Sequence, residues 1–240
     1  MFSNYFDPVS KNVIDFKNEL NQNQIGSSLV CYSQNKFPDI GNIDIAIILV
    51  PENRGSSIPV EYNSYLDLRR SFYSLFEGNW QFRIADFGNL RLGDDLKDTY
   101  FAINDIVSNL LSQSVFPIII GGTHDLVFPI YQAYGSFSKG VNLLSIDSRF
   151  DLIDSNPTEI NSKNFIGYIL KQDNNHLKNF INLGYQGYLC QNDEAALLEK
   201  MFFESCRLGE LRANIKEAEP YIRSADIVTL DMGAIKQGDA

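Results

Sequence analysis

VFPIIIGGTHD, from Val115 to Asp125, is the stretch that indicates the fold class of this 240-residue chain. Its first six residues are almost all apolar, which is typical of a strand buried on both faces of a parallel sheet. Two glycines end the apolar run, and the polar side chains of His124 and Asp125 follow. Ligands of an open parallel sheet bind beyond the carboxyl ends of its strands, so this strand end is a candidate site.

Similar apolar runs recur along the chain and alternate with segments of helical periodicity. The predicted strands are Ile43–Val50, Arg83–Phe87, Val115–Ile120, Val141–Ile146, Phe180–Leu183 and Ile227–Leu230. The clearest predicted helix runs from Leu96 to Ser112, where apolar residues recur every three or four positions. A shorter helix is predicted from Glu210 to Glu219, ended by Pro220, and a loop from Asn53 to Tyr62. This alternation predicts an α/β fold of three layers, in which helices cover both faces of a mainly parallel sheet.

One large α/β domain is the organisation that the length favours, since the chain shows no internal repeat, low-complexity tract or long linker. We expect residues 1–40 to form an N-terminal extension that packs on the core, and residues 41–240 to form the α/β domain. The first residues lack the basic and apolar regions of a secretory signal, and no apolar run approaches the roughly 20 residues that span a bilayer. A cytoplasmic protein is therefore expected.

Charge and cysteine spacing argue against several partners and kinds of chemistry. Thirty Asp and Glu residues oppose twenty Lys and Arg residues, and the formal charge of −10 repels phosphate backbones and anionic lipid. We therefore expect neither nucleic acid nor a membrane as a partner. Cys31, Cys190 and Cys206 form no C-x-x-C pair, so they are predicted to be buried small side chains rather than metal or redox groups.

Polar side chains follow three of the predicted strands at their carboxyl ends. His124 follows the first, Asp147, Arg149 and Asp151 follow the second, and Asp231 follows the third. Alone, each motif has an ordinary interpretation, because a single histidine is usually structural and a D-x-R-x-D segment is usually a solvated turn. Together, one histidine and three aspartates at one edge of a sheet are ligands suited to a divalent cation such as manganese or zinc.

The order of these motifs resembles that of the ureohydrolases, the family of arginases, agmatinases and formimidoylglutamases. These enzymes carry GGDHS, then DAHxD, then DxD, and hold two manganese ions whose bridging hydroxide attacks a guanidine or amidine carbon. Weaker similarities keep the family's order along the chain, in the segments Ile45–Pro51, Arg54–Ser57, Asp67–Arg70, Ala85–Gly88 and Ile181–Gly187. The resemblance implies an arginase-like fold for nearly the whole chain from Ile43.

By this resemblance, four residues would bind one metal of the pair, manganese in the family. They are His124, Asp147, Asp151 and Asp231. Asp151 is also the residue on which any remaining catalysis would depend. The support around the histidine differs from the family's motif, because Thr123 replaces the aspartate of GGDHS and Asp125 replaces its serine.

The ligands special to the second metal are missing. Arg149 stands where DAHxD has its histidine, and Gly233 stands where DxD has its second aspartate. Two carboxylates about 4 Å apart repel each other by roughly 4 kcal/mol at an effective dielectric constant near 20, so a cation is needed between them. We expect the Arg149 guanidinium to lie between Asp147 and Asp231 and to replace the charge of the second metal, although it cannot ionise a water.

Other parts of the family's site also lack a counterpart. The loop from Asp154 to Phe165 contains no histidine, Lys163 in that loop is expected to be exposed, and His176 is predicted to lie at the surface. The chain ends nine residues after Asp231, where the family continues. The resemblance therefore leads us to expect a domain without its C-terminal part.

Three hypotheses follow for the function. The first is a pseudoenzyme of the arginase family with a degenerate dimetal site, weak or lost amidino hydrolysis, and a role in binding or scaffolding. The second is a hydrolase of linear amidines such as arginine, agmatine or formimidoylglutamate that uses one remaining metal site. The third is a buried polar network that holds no metal. A small amidine or guanidine ligand fits the first two, and the resemblance also implies a homo-oligomer, while no protein partner is identified.

Overall fold

The computed structural model describes residues 2–33, 36–56, 65–138, 140–152 and 159–236. The chain consists of two compact units, Met1–Thr123 and His124–Ala240, and each unit has its own sheet. In the described ranges the strands are β1 (Phe6–Asp7), β2 (Val30–Cys31), β3 (Ile45–Leu49), β4 (Ile84–Leu90), β5 (Phe116–Ile120), β6 (Val141–Ile146), β7 (Leu177–Tyr185), β8 (Glu204–Arg207) and β9 (Ile227–Leu230). The α-helices of the same ranges are α1 (Lys11–Asn18), α2 (Ile25–Ser28), α3 (Leu66–Tyr73), α4 (Leu96–Ser112), α5 (Val127–Phe137), α6 (Phe165–Leu170), α7 (Asn192–Lys200), α8 (Leu208–Ala213) and α9 (Ala218–Ser224).

The first unit is built on a mainly parallel sheet with the strand order β1-β4-β3-β5, and β2 also pairs with β4. The β2, β3 and β5 pairings are parallel, whereas β1 runs antiparallel to β4. Apolar side chains of the N-terminal region and of α3 pack with β3 in one core cluster, which includes Val13, Ile25, Ile47, Leu49 and Tyr73. Residues before position 40 therefore contribute both strands and core side chains to this unit.

A buried ion pair joins α3 to β4 in the first unit. The Arg69 guanidinium donates from Nε to Asp86 Oδ2 (2.7 Å) and from Nη2 to Oδ1 (3.0 Å). Asp86 also accepts hydrogen bonds from the Tyr73 hydroxyl and the Gly88 amide, both at 2.7 Å. Because Asp86 is fully buried and Arg69 nearly so, each charge depends on the other for its solvation.

The second unit has a wholly parallel sheet in its described residues, with the strand order β8-β7-β6-β9. Successive side chains of a strand point to opposite faces, and here both faces are covered. Leu143 packs with Tyr131 of α5 and Phe165 of α6 in one core cluster. Leu144 packs on the other face with Ala218 of α9. The sheet thus lies between two helical layers, which is the architecture that the uninterrupted apolar runs predict.

The α/β class and the mainly parallel strands are confirmed. Strands β6 and β9 and helix α4 have the predicted limits, and β7 is longer than the predicted Phe180–Leu183. Within the described residues, β5 belongs to the first sheet whereas β6 and β9 belong to the second, so the expectation that these three strands share one sheet is not met there.

The helix predicted from Glu210 to Glu219 is also wrong. The chain instead forms α8, a 3-10 turn at Ile215–Glu217 and α9. Pro220 lies in the first turn of α9, where its missing N–H would have no helical partner in any case. Proline therefore sits near the start of a helix here rather than ending one.

Some sequence predictions concern residues outside the described ranges. These are positions 57–62 of the predicted loop and positions 154–158 of the later loop. Of the three free cysteines, Cys206 is buried as predicted, whereas Cys31 and Cys190 are only half-buried. No helix within the described residues is long and apolar enough to cross a membrane.

Replacing Asp86 with asparagine should lower the free energy of unfolding by about 3–5 kcal/mol, because the buried Arg69 charge loses its partner. Urea unfolding of D86N measures this loss. D44N is a matched control, since Asp44 also binds an arginine, Arg83, through two side-chain hydrogen bonds, but at an exposed site. Exposed pairs contribute little, so a loss in D44N as large as that in D86N would contradict the prediction.

Candidate functional site

His124 opens the second unit and starts a 3-10 turn that leads into α5. The preceding Gly121 and Gly122 have φ angles of +90° and +80°, a region that glycine adopts without strain. The His124 side chain is only 6% exposed, and its ring packs against the ring of Phe165 with centroids 4.5 Å apart. The imidazole is therefore held within the protein rather than at its surface.

Asp147 and Asp231 emerge side by side because they follow two paired parallel strands. Ile146 of β6 is in register with Leu230 of β9, and each strand is followed directly by one of the aspartates. Asp147 Oδ2 lies 3.1 Å and Asp231 Oδ2 lies 3.8 Å from Nδ1 of His124. The pairing of β6 with β9 thus brings two of the predicted ligands to the histidine.

Asp151 reaches the same nitrogen from a turn. Its Oδ2 lies 3.1 Å from Nδ1 of His124, and its backbone has a φ of +53°. This left-handed conformation is uncommon for residues other than glycine, although aspartate and asparagine adopt it more often than most. The structure therefore brings together all four ligands that the sequence predicts, His124, Asp147, Asp151 and Asp231.

The imidazole is oriented by a residue that sequence reasoning missed. Nε2 of His124 lies 2.8 Å from the hydroxyl oxygen of Thr229, which leaves Nδ1 directed at the three carboxylates. When Nε2–H donates to Thr229, the lone pair of Nδ1 is available to a metal. Thr229 lies two residues before Asp231 on β9 and so shares its side of the strand. That spacing is a signal from which Thr229 could have been found.

The electrostatics of the cluster show an excess of negative charge. Burial opposes the charged imidazole, but hydrogen bonds to Asp147 and Asp151 outweigh it and raise the pKa of His124 to about 10. Burial raises the pKa of Asp151, and the neighbouring Asp147 charge adds to that effect. Burial is the largest influence on Asp147 and acts in the same sense, but the hydrogen bond and charge of His124 and the hydrogen bond from the Arg149 amide together outweigh it and lower the pKa of Asp147. Three carboxylates in one place thus favour a cation among them, either the imidazolium or a metal ion.

The donor set fits a divalent cation. Among the described residues, His124, Asp147 and Asp231 each offer a ligand atom, and these atoms lie within 4.8 Å of one another. Asp151 borders this group through its contact with Nδ1. One imidazole nitrogen with carboxylate oxygens suits manganese or zinc. Because the Asp231 side chain is 39% exposed, solvent reaches the cluster from one side.

The predicted position of Arg149 is wrong. Its side chain is exposed, and Nη1 donates to the Leu189 carbonyl (3.1 Å) in the segment after β7 instead of lying between two aspartates. The cause is a turn directly after β6, in which the Arg149 amide donates to Asp147 Oδ1 (2.9 Å). The strand does not continue to Asp151, so the alternation of an extended chain does not apply to these residues.

The remaining sequence predictions have mixed outcomes. Gly233 offers no side chain, and its amide donates to Asp231 Oδ1 (2.6 Å). Lys163 is exposed, as expected. His176 is half-buried rather than fully at the surface, since its ring lies so close to Gly135 of α5 that a Cβ there would be 2.7 Å from it.

Comparisons with known proteins agree with this geometry. A model of the arginase family matches residues 61–240. No curated protein matches the sequence.

Similar solved structures share the fold at low sequence identity. One is a formiminoglutamase from Trypanosoma cruzi with Mn2+, at 19% identity and a TM-score of 0.67, with 77% of this chain and 67% of that chain covered. A formimidoylglutamase from Bacillus subtilis has 17% identity and a TM-score of 0.67, with 95% and 78% covered. An agmatine ureohydrolase from Thermoplasma volcanium has 16% identity and a TM-score of 0.64, with 90% and 73% covered. These structures confirm the arginase-like fold.

Replacing Thr229 with valine should lower the free energy of unfolding by about 1–3 kcal/mol, because the buried Nε2–H of His124 loses its acceptor while the side-chain shape is kept. Urea unfolding at neutral pH measures the effect. T229S retains the hydroxyl and serves as the control, with a smaller loss expected. Equal stability of T229V and the wild type would show that Thr229 does not orient the imidazole.

Proposed function

Because this chain belongs to the arginase family, we propose that it binds one divalent cation at a site derived from the family's metal pair, and that amidino hydrolysis is weak or lost. One observation carries the proposal. Nδ1 of His124 faces the carboxylates of Asp147, Asp151 and Asp231 at 3.1, 3.1 and 3.8 Å. These groups would hold the cation, with manganese favoured by the family.

The positions that would serve a second metal offer no ligand atom. Gly233 has no side chain, and the Arg149 guanidinium is engaged by the Leu189 carbonyl. A pair of bound metals can clamp both oxygens of a displacement reaction and generate a nucleophilic hydroxide, and a single ion supplies only part of that chemistry. This supports a binding or scaffolding role over rapid turnover.

A ligand for such a site would be cationic and small. Asp231 presents a carboxylate that is 39% exposed beside the buried aspartates, and the whole chain carries a formal charge of −10. Both features attract a guanidinium or amidinium group and repel an anion. An agmatine-like molecule has this chemistry, which agrees with the name of one structural neighbour.

The exposure of Asp231 also favours a second candidate, a hydrolase of linear amidines with a single metal. Structural metal sites are closed by protein ligands, whereas catalytic sites keep a position open to water or substrate. Solvent access on the Asp231 side is compatible with such an open position. In this candidate Asp151 would be the residue on which catalysis depends.

Metal analysis of protein dialysed after manganese loading tests the proposal. We expect one ion per chain in the wild type and none in D147A, because Asp147 is a buried member of the cluster. D226N is the matched control, since Asp226 lies just before β9 and binds the Asn142 amide of β6 (2.8 Å) instead of the cluster. Zero or two tightly held ions per chain would contradict the proposal.

The same loaded protein separates the two candidates when it is assayed with arginine, agmatine and formimidoylglutamate for release of urea or formamide. Brisk turnover that is lost in D151A would support the single-metal hydrolase. Turnover near the rate of the uncatalysed reaction supports the binding role.

Restoring both missing ligands should restore a second metal. R149H together with G233D supplies an imidazole and a carboxylate at the positions where the family's motifs have them, so we expect two ions per chain by the same analysis. R149H alone is the control and should keep one ion. The Asp231 Oδ1 contact with the Gly233 amide leaves little room at position 233, so thermal unfolding is used to verify that the double variant is folded.

A further inference from the structure

The backbone of Asp151 is strained, and its neighbours hold it in place. The left-handed region is unfavourable for a non-glycine residue, and such a conformation persists only where the surroundings determine it. Two hydrogen bonds bracket the residue. The Asp151 carbonyl accepts from the Ile166 amide (3.2 Å), and the next amide, that of Leu152, donates to Oε1 of Glu194 (3.2 Å).

Helix α6 closes against this turn from one side. A Cβ at Gly167 would lie 2.0 Å from the Leu152 carbonyl oxygen, so only glycine allows α6 to approach so closely. The Asp151–Leu152 segment is therefore confined between α6 and the Glu194 carboxylate of α7. Both contacts therefore fix the backbone of Asp151 and Leu152, on which the direction of the Asp151 side chain depends.

Glu194 differs from the other acids that occupy the same position in a helix. Its Oε2 accepts from the Gln191 amide (2.9 Å) at the start of α7, which is a common capping contact. Asp98 of α4 and Glu210 of α8 make the equivalent contacts with Asp95 and Arg207, and both acids are exposed. Glu194 is only 5% exposed, and its other oxygen reaches a residue 42 positions away.

A capping role alone explains neither the burial of Glu194 nor its second contact. Burying a carboxylate is costly unless hydrogen bonds and charge compensate it, and an exposed acid caps α4 and α8 without that cost. The second contact is made to the amide that follows Asp151. That choice of partner connects Glu194 to the cluster around His124.

We propose that Glu194 is a positioning residue for the metal site, which acts by fixing the left-handed backbone of Asp151 and so directing its carboxylate at His124. The inference rests on the proposed function, since the direction of Asp151 matters to an ion only if the cluster binds one. Without the Glu194 carboxylate, the Leu152 amide has no charged acceptor and the Asp151–Leu152 peptide can rotate. Asp151 then relaxes to an ordinary backbone conformation and its carboxylate turns away from Nδ1.

Calorimetric titration of the intact chain with manganese chloride tests this inference. We expect E194A to bind manganese about 10- to 100-fold more weakly than the wild type, the usual effect of removing a residue that orients a ligand. E210A is the matched control, because it removes the same capping contact from α8, and its affinity should equal that of the wild type. E194Q retains an amide oxygen that can accept from Leu152, so its affinity should lie between those of E194A and the wild type.

A double-mutant cycle with D151A shows whether Glu194 acts through Asp151. In the D151A background, E194A should cause no further loss of affinity, whereas independent effects would multiply. Thermal unfolding of each variant verifies that it is folded. Wild-type affinity in E194A, or full multiplication in the cycle, would overturn the positioning role while leaving the proposed function intact. A wild-type chain that binds no manganese would overturn both.

Discussion

Three aspartate carboxylates share one imidazole nitrogen, and the compensation of their charge is the constraint on which the second unit depends. Two such carboxylates about 4 Å apart repel each other by roughly 4 kcal/mol at an effective dielectric constant near 20. The parallel pairing of β6 with β9 nevertheless places Asp147 and Asp231 side by side, and a strained turn adds Asp151. A positive charge at this point is therefore a condition of the fold, and the geometry around Nδ1 suits either a proton or a metal ion.

Arg149 anchors the chain after β6 instead of joining the cluster around His124. Its guanidinium binds the Leu189 carbonyl, and its own carbonyl accepts from Asn182 of β7 (2.7 Å). Arg149 thus connects the segment after β6 to strand β7 and to the segment after β7. Arg149, which differs from the family's motif, therefore anchors two loops. It does not supply the charge that balances the aspartates. Neither Arg149 nor Gly233 adds a side-chain ligand atom to the cluster around His124.

The parts of the structure that sequence reasoning predicted are those governed by periodicity. Helix α4 and strands β6 and β9 have the expected limits, because runs of apolar residues report burial directly. The pairing of the parallel strands β6 and β9 was enough to bring Asp147 and Asp231 together, whereas His124 follows a strand of the other sheet and Asp151 lies in a turn. The direction of the Arg149 side chain depended on a turn, to which the alternation of a strand does not apply. The effect of Pro220 depended on whether it lay at the start or at the end of a helix. The role proposed for Glu194 could not be predicted from the sequence, because it acts through the backbone amide of Leu152, 42 positions away.

The energetic cost of holding Asp151 separates an ion-binding cluster from a purely structural network. Its left-handed backbone costs roughly 1–2 kcal/mol, and the turn also requires a glycine at position 167 and a buried carboxylate at position 194. A network that only had to neutralise His124 would need one aspartate, and Asp147 already provides it at 3.1 Å. A third and strained carboxylate raises the local repulsion without improving that balance. It is useful where a divalent cation takes up the excess charge, so the strain at Asp151 supports the view that this chain has kept a metal site.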